Sequence, residues 1–97
     1  MAKKTFVISF EIKDDDTYDD RYKSLTKKIE SLGLYWDETT SFYAVRSEET
    51  AKSIGQTLFV DTEVNSSKDH LLVIDTQTNE AYYIGPEKPA NYFFDFV

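Results

Sequence analysis

The chain has 97 residues and a formal net charge of −7, from 18 acidic and 11 basic side chains. Binding to DNA or RNA gains most of its free energy from neutralised phosphates. This charge balance therefore argues against strong nonspecific binding to nucleic acid, unless the basic residues cluster or a metal ion bridges the protein and the phosphates. The chain contains no cysteine, which excludes a disulfide framework and a thiolate metal site within it.

Length and composition predict a single folded domain over residues 1–97. Forty per cent of the residues are hydrophobic and 15% are aromatic, which argues against disorder. The apolar run that follows Lys3 and Lys4 ends at Glu11, too early for a signal peptide or a membrane span. We therefore expect a cytoplasmic protein with no membrane partner.

The first predicted element is a strand over residues 5–12, where apolar side chains recur with a period of two. One face of this strand is apolar throughout: Phe6, Ile8, Phe10 and Ile12. The other face carries Val7, Ser9 and Glu11. Six of the 18 acidic residues then fall between Glu11 and Asp20.

An amphipathic helix follows, because apolar residues recur at spacings of four and three. This stripe consists of Tyr18, Tyr22, Leu25, Ile29 and Leu32. Asp16 or Thr17 can cap the helix start, and the acidic residues of its first turn suit the helix dipole. Gly33 is the expected terminator.

The middle of the chain predicts a hairpin and a second helix. Residues 34–36 and 40–46 are rich in aromatic and β-branched side chains and flank a polar turn. Ser47 is the expected cap of the second helix, whose apolar stripe is Ala51, Ile54 and Leu58.

After a polar loop over residues 60–69, the continuous apolar run at 71–74 predicts a strand covered on both faces. A turn at 76–80 leads to a last strand at 81–85.

This order predicts an α+β protein with the ferredoxin-like β-α-β-β-α-β arrangement and one additional C-terminal strand. Two helices would cover one face of an antiparallel sheet, with the first strand and the 71–74 strand adjacent at its centre. The opposite face, which carries Val7 and Ser9, is left open. An open face with apolar content favours a second subunit.

Several short stretches carry a resemblance to known families. Phe10-Glu11 ends the first strand, and "TTSFYAV", "SEETAKSI" and "DHLLVID" follow in order after a Trp-containing strand. Over about residues 5–85 the chain resembles the SinR-like and VapD-like small proteins, which are similar to the small ferredoxin-fold nucleases of CRISPR adaptation.

The resemblance implies a homodimer with its two sheets packed together. In family members reported as nucleases, an acidic residue at the end of the first strand lies near the twofold axis. Two copies of that residue are thought to hold a divalent metal, here Mg²⁺ or Mn²⁺, that activates water for phosphodiester cleavage. The matching position is Glu11, which the resemblance therefore marks as the catalytic and metal-binding residue.

The family usually has aspartate at this position. Glutamate is one methylene longer, and catalytic geometry is sensitive to displacements of about an ångström. We therefore expect weak or no metal-dependent nuclease activity, on RNA or DNA.

Each candidate residue also has a simpler interpretation. Glu11 can be a solvated acid or a partner of Arg46 on a neighbouring strand. The run from Asp14 to Asp16 is typical of a solvated loop and helix start. His70, the only histidine, follows Asp69 at a strand start, where a structural role is expected.

Four aromatic residues around the hairpin could stack on nucleic-acid bases, although the basic residues of an RNA-binding signature are missing. Packing in the core or an interface is the other interpretation. These residues are Tyr35, Trp36, Phe42 and Tyr43.

Residues 86–97 form an aromatic C-terminal tail after the breaks at Pro86 and Pro89. Its large apolar residues are Tyr92, Phe93, Phe94, Phe96 and Val97. The aromatic residues of the tail are predicted interface residues, because such large apolar side chains need a surface to cover them. The predicted interface residues are Val7, Ser9, Tyr92, Phe93, Phe94 and Phe96. Residues 81–97 are expected to cross or border the dimer interface, with pairing at a sheet edge as one way to do so. The alternatives are a tail folded back on its own subunit or one disordered in solution.

The resemblance to this group implies a nucleic-acid-linked accessory or defence protein. The alternative is a non-catalytic acidic protein that mimics phosphate charge and inhibits a DNA-binding enzyme. The partner is accordingly either nucleic acid or a basic protein that binds nucleic acid.

Overall fold

The structure is a computed structural model that describes residues 3–38 and 41–85. Within them it contains five strands and two helices. In chain order these are β1 (Lys4–Glu11), α1 (Tyr18–Glu30), β2 (Tyr35–Trp36), β3 (Phe42–Ser47), α2 (Ala51–Val60), β4 (His70–Asp75) and β5 (Ala81–Ile84).

The strands form one sheet in the order β2-β3-β1-β4-β5, and every neighbouring pair is antiparallel. The predicted α+β class, with two helices and an antiparallel sheet, is confirmed. The predicted adjacency of β1 and β4 is confirmed as well, because Ile8 lies opposite Val73. The hairpin of β2 and β3 pairs Trp36 with Ala44.

The hydrophobic core lies between the helices and one face of the sheet. Phe6, Ile8 and Phe10 from β1 are buried together with Leu25 and Ile29 of α1. Ile54 and Leu58 of α2 complete this layer. The apolar face of β1 therefore packs against the apolar stripe of α1, as predicted.

The open face is the other side of the sheet, and its two central rows are mostly apolar. In one row, Val7 lies between Ala44 and Ile74. In the next, Ser9 lies between Phe42 and Leu72. Trp36, Ala81 and Tyr83 extend these rows outwards. The predicted positions of Val7 and Ser9 on this face are confirmed.

The ends of both helices differ in detail from the prediction. Thr50, not Ser47, caps α2, and its hydroxyl accepts a hydrogen bond from Ser53 N at 3.0 Å. Ser47 is instead the last residue of β3. Helix α1 ends at Glu30, before Gly33. A Cβ atom at Gly33 would fall on the carbonyl oxygen of Arg46, so this glycine permits close backbone approach to β3.

A buried ion pair joins three parts of the chain. The Asp69 side chain is fully buried and accepts Arg21 Nε at 3.0 Å. The same carboxylate accepts the backbone N–H groups of Lys13 and Asn65, both at 2.9 Å. Arg21, itself 4% exposed, also donates to the Lys13 carbonyl oxygen at 2.8 Å. The end of β1, the first turns of α1 and the loop before β4 are thus held by one interaction.

Among the described residues, no helix is both long enough and apolar enough to span a membrane.

Replacing Asp69 with alanine should lower the free energy of unfolding by about 3–5 kcal/mol, since it removes one partner of a buried ion pair and leaves the Arg21 guanidinium with Asp15 alone. Urea unfolding followed by circular dichroism measures this loss. Lys68→Ala is the control, because Lys68 is 40% exposed in its ion pair with Asp15 and such pairs contribute little. Equal losses in the two variants would contradict the assigned role of Asp69.

Candidate functional site

Glu11 ends β1 at the centre of the sheet and is exposed on the open face. Its side chain forms no ion pair or hydrogen bond with any residue in the described ranges. Arg46 cannot be its partner, because Arg46 lies opposite Thr5, six residues back and about 20 Å away along the strand. The interpretation of Glu11 as the partner of Arg46 is therefore wrong.

The residue opposite Glu11 on β4 is His70. Side chains that lie directly opposite in an antiparallel pair have Cβ atoms about 4.5–5.5 Å apart. The imidazole and the carboxylate therefore stand next to each other on the open face. No pattern in the sequence predicted that these two residues are neighbours.

The His70 ring is held from its other side by Tyr83 of β5. The His70 Nδ1 atom and the Tyr83 hydroxyl oxygen are 2.6 Å apart, and the two rings are 6.0 Å apart between centroids. A Cβ atom at Gly85 would overlap the Tyr83 hydroxyl. The glycine therefore leaves the space in which this hydroxyl reaches the histidine.

Glu11 and His70 line a shallow pocket of about 360 Å³ at this end of the sheet. Its wall also includes Asp14, Lys13 and Lys68. The pocket thus combines two carboxylates, one imidazole and two ammonium groups. The Lys68 ammonium lies 2.9 Å from Asp15 Oδ2, so its charge is already paired.

The acidic run after β1 divides into one engaged residue and several exposed ones. Asp15 Oδ1 accepts Arg21 Nη1 at 2.8 Å and the backbone N–H of Thr17, the N-cap of α1, at 3.0 Å. Asp15 is therefore part of the buried network and is not simply solvated. The neighbours Asp14, Asp16, Asp19 and Asp20 are exposed, as predicted for a loop and helix start.

The hydrogen bond from Arg21 and the one from Lys68 hold the pKa of Asp15 well below its ordinary value near 3.8. A second carboxylate, Asp75, is fully buried at the end of β4. Burial alone would raise the pKa of Asp75, but the Lys4 ammonium and the N–H of Gln77 outweigh burial and the pKa is lowered.

The four hairpin aromatics do not form one surface. Trp36 and Phe42 lie on the open face, with ring centroids 6.2 Å apart in an edge-to-face arrangement. Tyr35 and Tyr43 lie on the helix side, 5.8 Å apart, and the Tyr43 hydroxyl donates to Glu30 at 2.7 Å. The interpretation of these four residues as one base-stacking platform is therefore wrong. The alternation of side chains along β2 and β3 places two of them on each face of the sheet.

No group of three or more histidine, aspartate or glutamate side chains is placed to hold a metal ion in residues 3–38 and 41–85. Metal binding by Glu11 stays a prediction. The predicted interface residues Tyr92, Phe93, Phe94 and Phe96 lie outside the described residues.

The sequence did not predict that Arg21 pairs with Asp69 or that Tyr83 contacts His70. The sequence contained one signal for Arg21. It lies three residues after Tyr18 and four before Leu25, so it shares the helix face of the apolar stripe. The pairing of His70 with Glu11 needs the strand register, which no local pattern supplies.

Comparison with protein-family models, with curated proteins and with solved structures found no match.

The lowered pKa of Asp15 makes stability depend on pH in acid. Between its folded and ordinary pKa values, the unfolded chain binds a proton at Asp15 and the folded chain does not, so stability falls as pH falls. We expect Asp15→Asn to be less stable than the wild type at pH 7 but to lose less stability between pH 4 and pH 2.

Thermal unfolding followed by circular dichroism across this pH range makes the comparison. Asp16→Asn serves as the control, because Asp16 is exposed and its carboxylate forms no hydrogen bond or ion pair with a described residue. This variant should follow the wild-type curve. If Asp15→Asn follows that curve too, the ion pairs of Asp15 do not contribute to folding.

Proposed function

We propose that this protein is a homodimer of ferredoxin-like subunits that serves as a nucleic-acid-linked accessory or defence protein. It has weak or no nuclease activity, and any cleavage depends on Mg²⁺ or Mn²⁺ held at Glu11. The observation that carries this proposal is the position of Glu11: exposed at the end of the central strand, with no ion pair to any described residue.

The strand order supports the ferredoxin-like part of the proposal. β1 lies between β3 and β4, so each of the two helices connects strands that have one strand between them. The hairpin partner β2 lies outside β3, and β5 adds an outer strand beside β4. We interpret this order as the split βαβ pattern with an additional edge strand.

The composition of the open face supports the homodimer. Val7, Ala44, Leu72 and Ile74 are only partly buried although they occupy its central rows. Trp36 is 48% exposed at the margin. Contiguous apolar surface on a small protein marks an interaction site, and two copies of this face would cover one another.

Nuclease assays on RNA and DNA with Mg²⁺ and with Mn²⁺ test the catalytic part. We expect slow cleavage that requires the metal and disappears in Glu11→Ala, because the variant lacks the carboxylate ligand. Glu48→Ala is a matched control, since Glu48 is also exposed and forms no hydrogen bond or ion pair with a described residue. Equal cleavage by the wild type and Glu11→Ala would contradict a metal at Glu11.

The homodimer is tested separately by sedimentation over a dilution series. Leu72→Lys should weaken self-association by at least tenfold, because it places a charge in the middle of the open face. Phe59→Lys is the control, as Phe59 is 42% exposed on α2, away from that face. A Leu72→Lys protein that associates as tightly as the wild type would rule out this interface.

One observation favours a second function, that of a phosphate mimic. Five carboxylates between residues 11 and 20 are exposed and unpaired by any described residue: Glu11, Asp14, Asp16, Asp19 and Asp20. A mimic would cleave nothing under any metal, yet would bind a basic nucleic-acid-binding protein with strong salt dependence.

A further inference from the structure

We propose that His70 is a metal ligand alongside Glu11, so that each subunit supplies half of a site for a transition-metal ion such as Mn²⁺ or Zn²⁺. This inference rests on the proposed metal at Glu11. The proposed homodimer is needed only to complete the coordination of that metal. It adds the second ligand, the residue that orients it and the class of metal.

The positions of Glu11 and His70 suit a shared metal ion. Glu11 and His70 are direct cross-strand partners on β1 and β4, and both line the same shallow pocket. A carboxylate and an imidazole with Cβ atoms about 5 Å apart can reach one ion from two sides. The Glu11 carboxylate forms no hydrogen bond or ion pair with any other described side chain.

A contact with Tyr83 orients the imidazole of His70. Metal-binding histidines usually engage the second ring nitrogen in a hydrogen bond, which fixes the tautomer and the ring plane. In His70 that role falls to the Nδ1 atom, 2.6 Å from the Tyr83 hydroxyl. When Nδ1 carries the proton and donates it to the Tyr83 hydroxyl oxygen, the Nε2 atom has the free lone pair that a metal ligand needs.

The contact between Tyr83 and His70 is built into the backbone. Leu71 lies opposite Ile84 in the pairing of β4 with β5, so Gly85 follows at the level of His70. A side chain at Gly85 would occupy the place of the Tyr83 hydroxyl. The missing side chain at position 85 thus allows the tyrosine to lie across the strand toward the histidine.

The donor set decides the class of metal. Carboxylate oxygens suit Mg²⁺ and Mn²⁺, whereas imidazole favours Mn²⁺, Zn²⁺ and the later transition metals over Mg²⁺. Two protein ligands are fewer than the three or four of a stable site. A second copy of the Glu11–His70 pair would bring the number to four.

His70 is the only histidine in the chain, so its imidazole signals in an NMR spectrum are unambiguous. Titration with Mn²⁺ should broaden these signals together with the amide of Glu11, and Zn²⁺ should shift the Nε2 resonance. Mg²⁺ at the same concentrations should leave the imidazole unchanged. His70→Gln should weaken Mn²⁺ binding at Glu11 by about tenfold or more.

Two tyrosine variants separate an orienting role from a general effect on folding. Tyr83→Phe removes only the hydroxyl and should lower Mn²⁺ affinity by roughly tenfold, as for other orienting partners of ligands. Tyr82→Phe, on the helix side of the same strand, should bind Mn²⁺ like the wild type. Equal affinity in the two variants would overturn the role of Tyr83.

The outcomes also separate this inference from the proposed function. If Mn²⁺ broadens Glu11 but leaves the imidazole sharp, the metal at Glu11 stands and His70 is not a ligand. If the imidazole responds but no nucleic acid is cleaved, the site stands and the nuclease activity does not. If neither residue responds, both metal proposals are wrong.

Discussion

The buried pair of Arg21 and Asp69 is the interaction on which the rest of the structure depends. The two side chains are 4% and 0% exposed, and a buried charge is tolerated only when it is paired and hydrogen-bonded. Asp69 meets this condition with two backbone N–H groups as well as the guanidinium. Because Asp69 directly precedes His70, and Lys13 follows two residues after Glu11, the pair also fixes where β4 begins and β1 ends.

That arrangement explains why the acidic run has two different roles. Asp15 serves the folded structure, since Arg21 and Lys68 both contact its carboxylate. The exposed aspartates around it give the start of α1 a negative charge, which suits the helix dipole. One of these exposed aspartates, Asp14, also lines the pocket of Glu11 and His70.

Local periodicity was enough to predict most of the secondary structure. The alternation of β1 assigned Phe6 and Val7 to opposite faces, because the pleat of a strand has a period of two. The stripe of α1 was read correctly for the same kind of reason. The cap of α2 was not, because Ser47 and Thr50 are both suitable capping residues and the strand pairing of Ser47 with Lys4 decides between them.

The candidate site could be predicted only in part. Glu11 was placed on the open face by alternation, but its neighbour His70 is 59 positions away in the chain and meets it only through the register of β1 and β4. Arg21 and Asp69 are 48 positions apart, and nothing local links them. Contacts of this kind depend on the whole fold, and single-sequence patterns do not encode them.

The central claim is that the protein binds a second copy of itself through the open face of its sheet. Isotope-filtered NMR on a mixture of ¹³C-labelled and unlabelled protein tests this claim most directly, because it detects only contacts between subunits. The account predicts intermolecular signals from the methyl groups of Val7, Leu72 and Ile74. Their absence, or intermolecular signals only from α1 and α2, would contradict it.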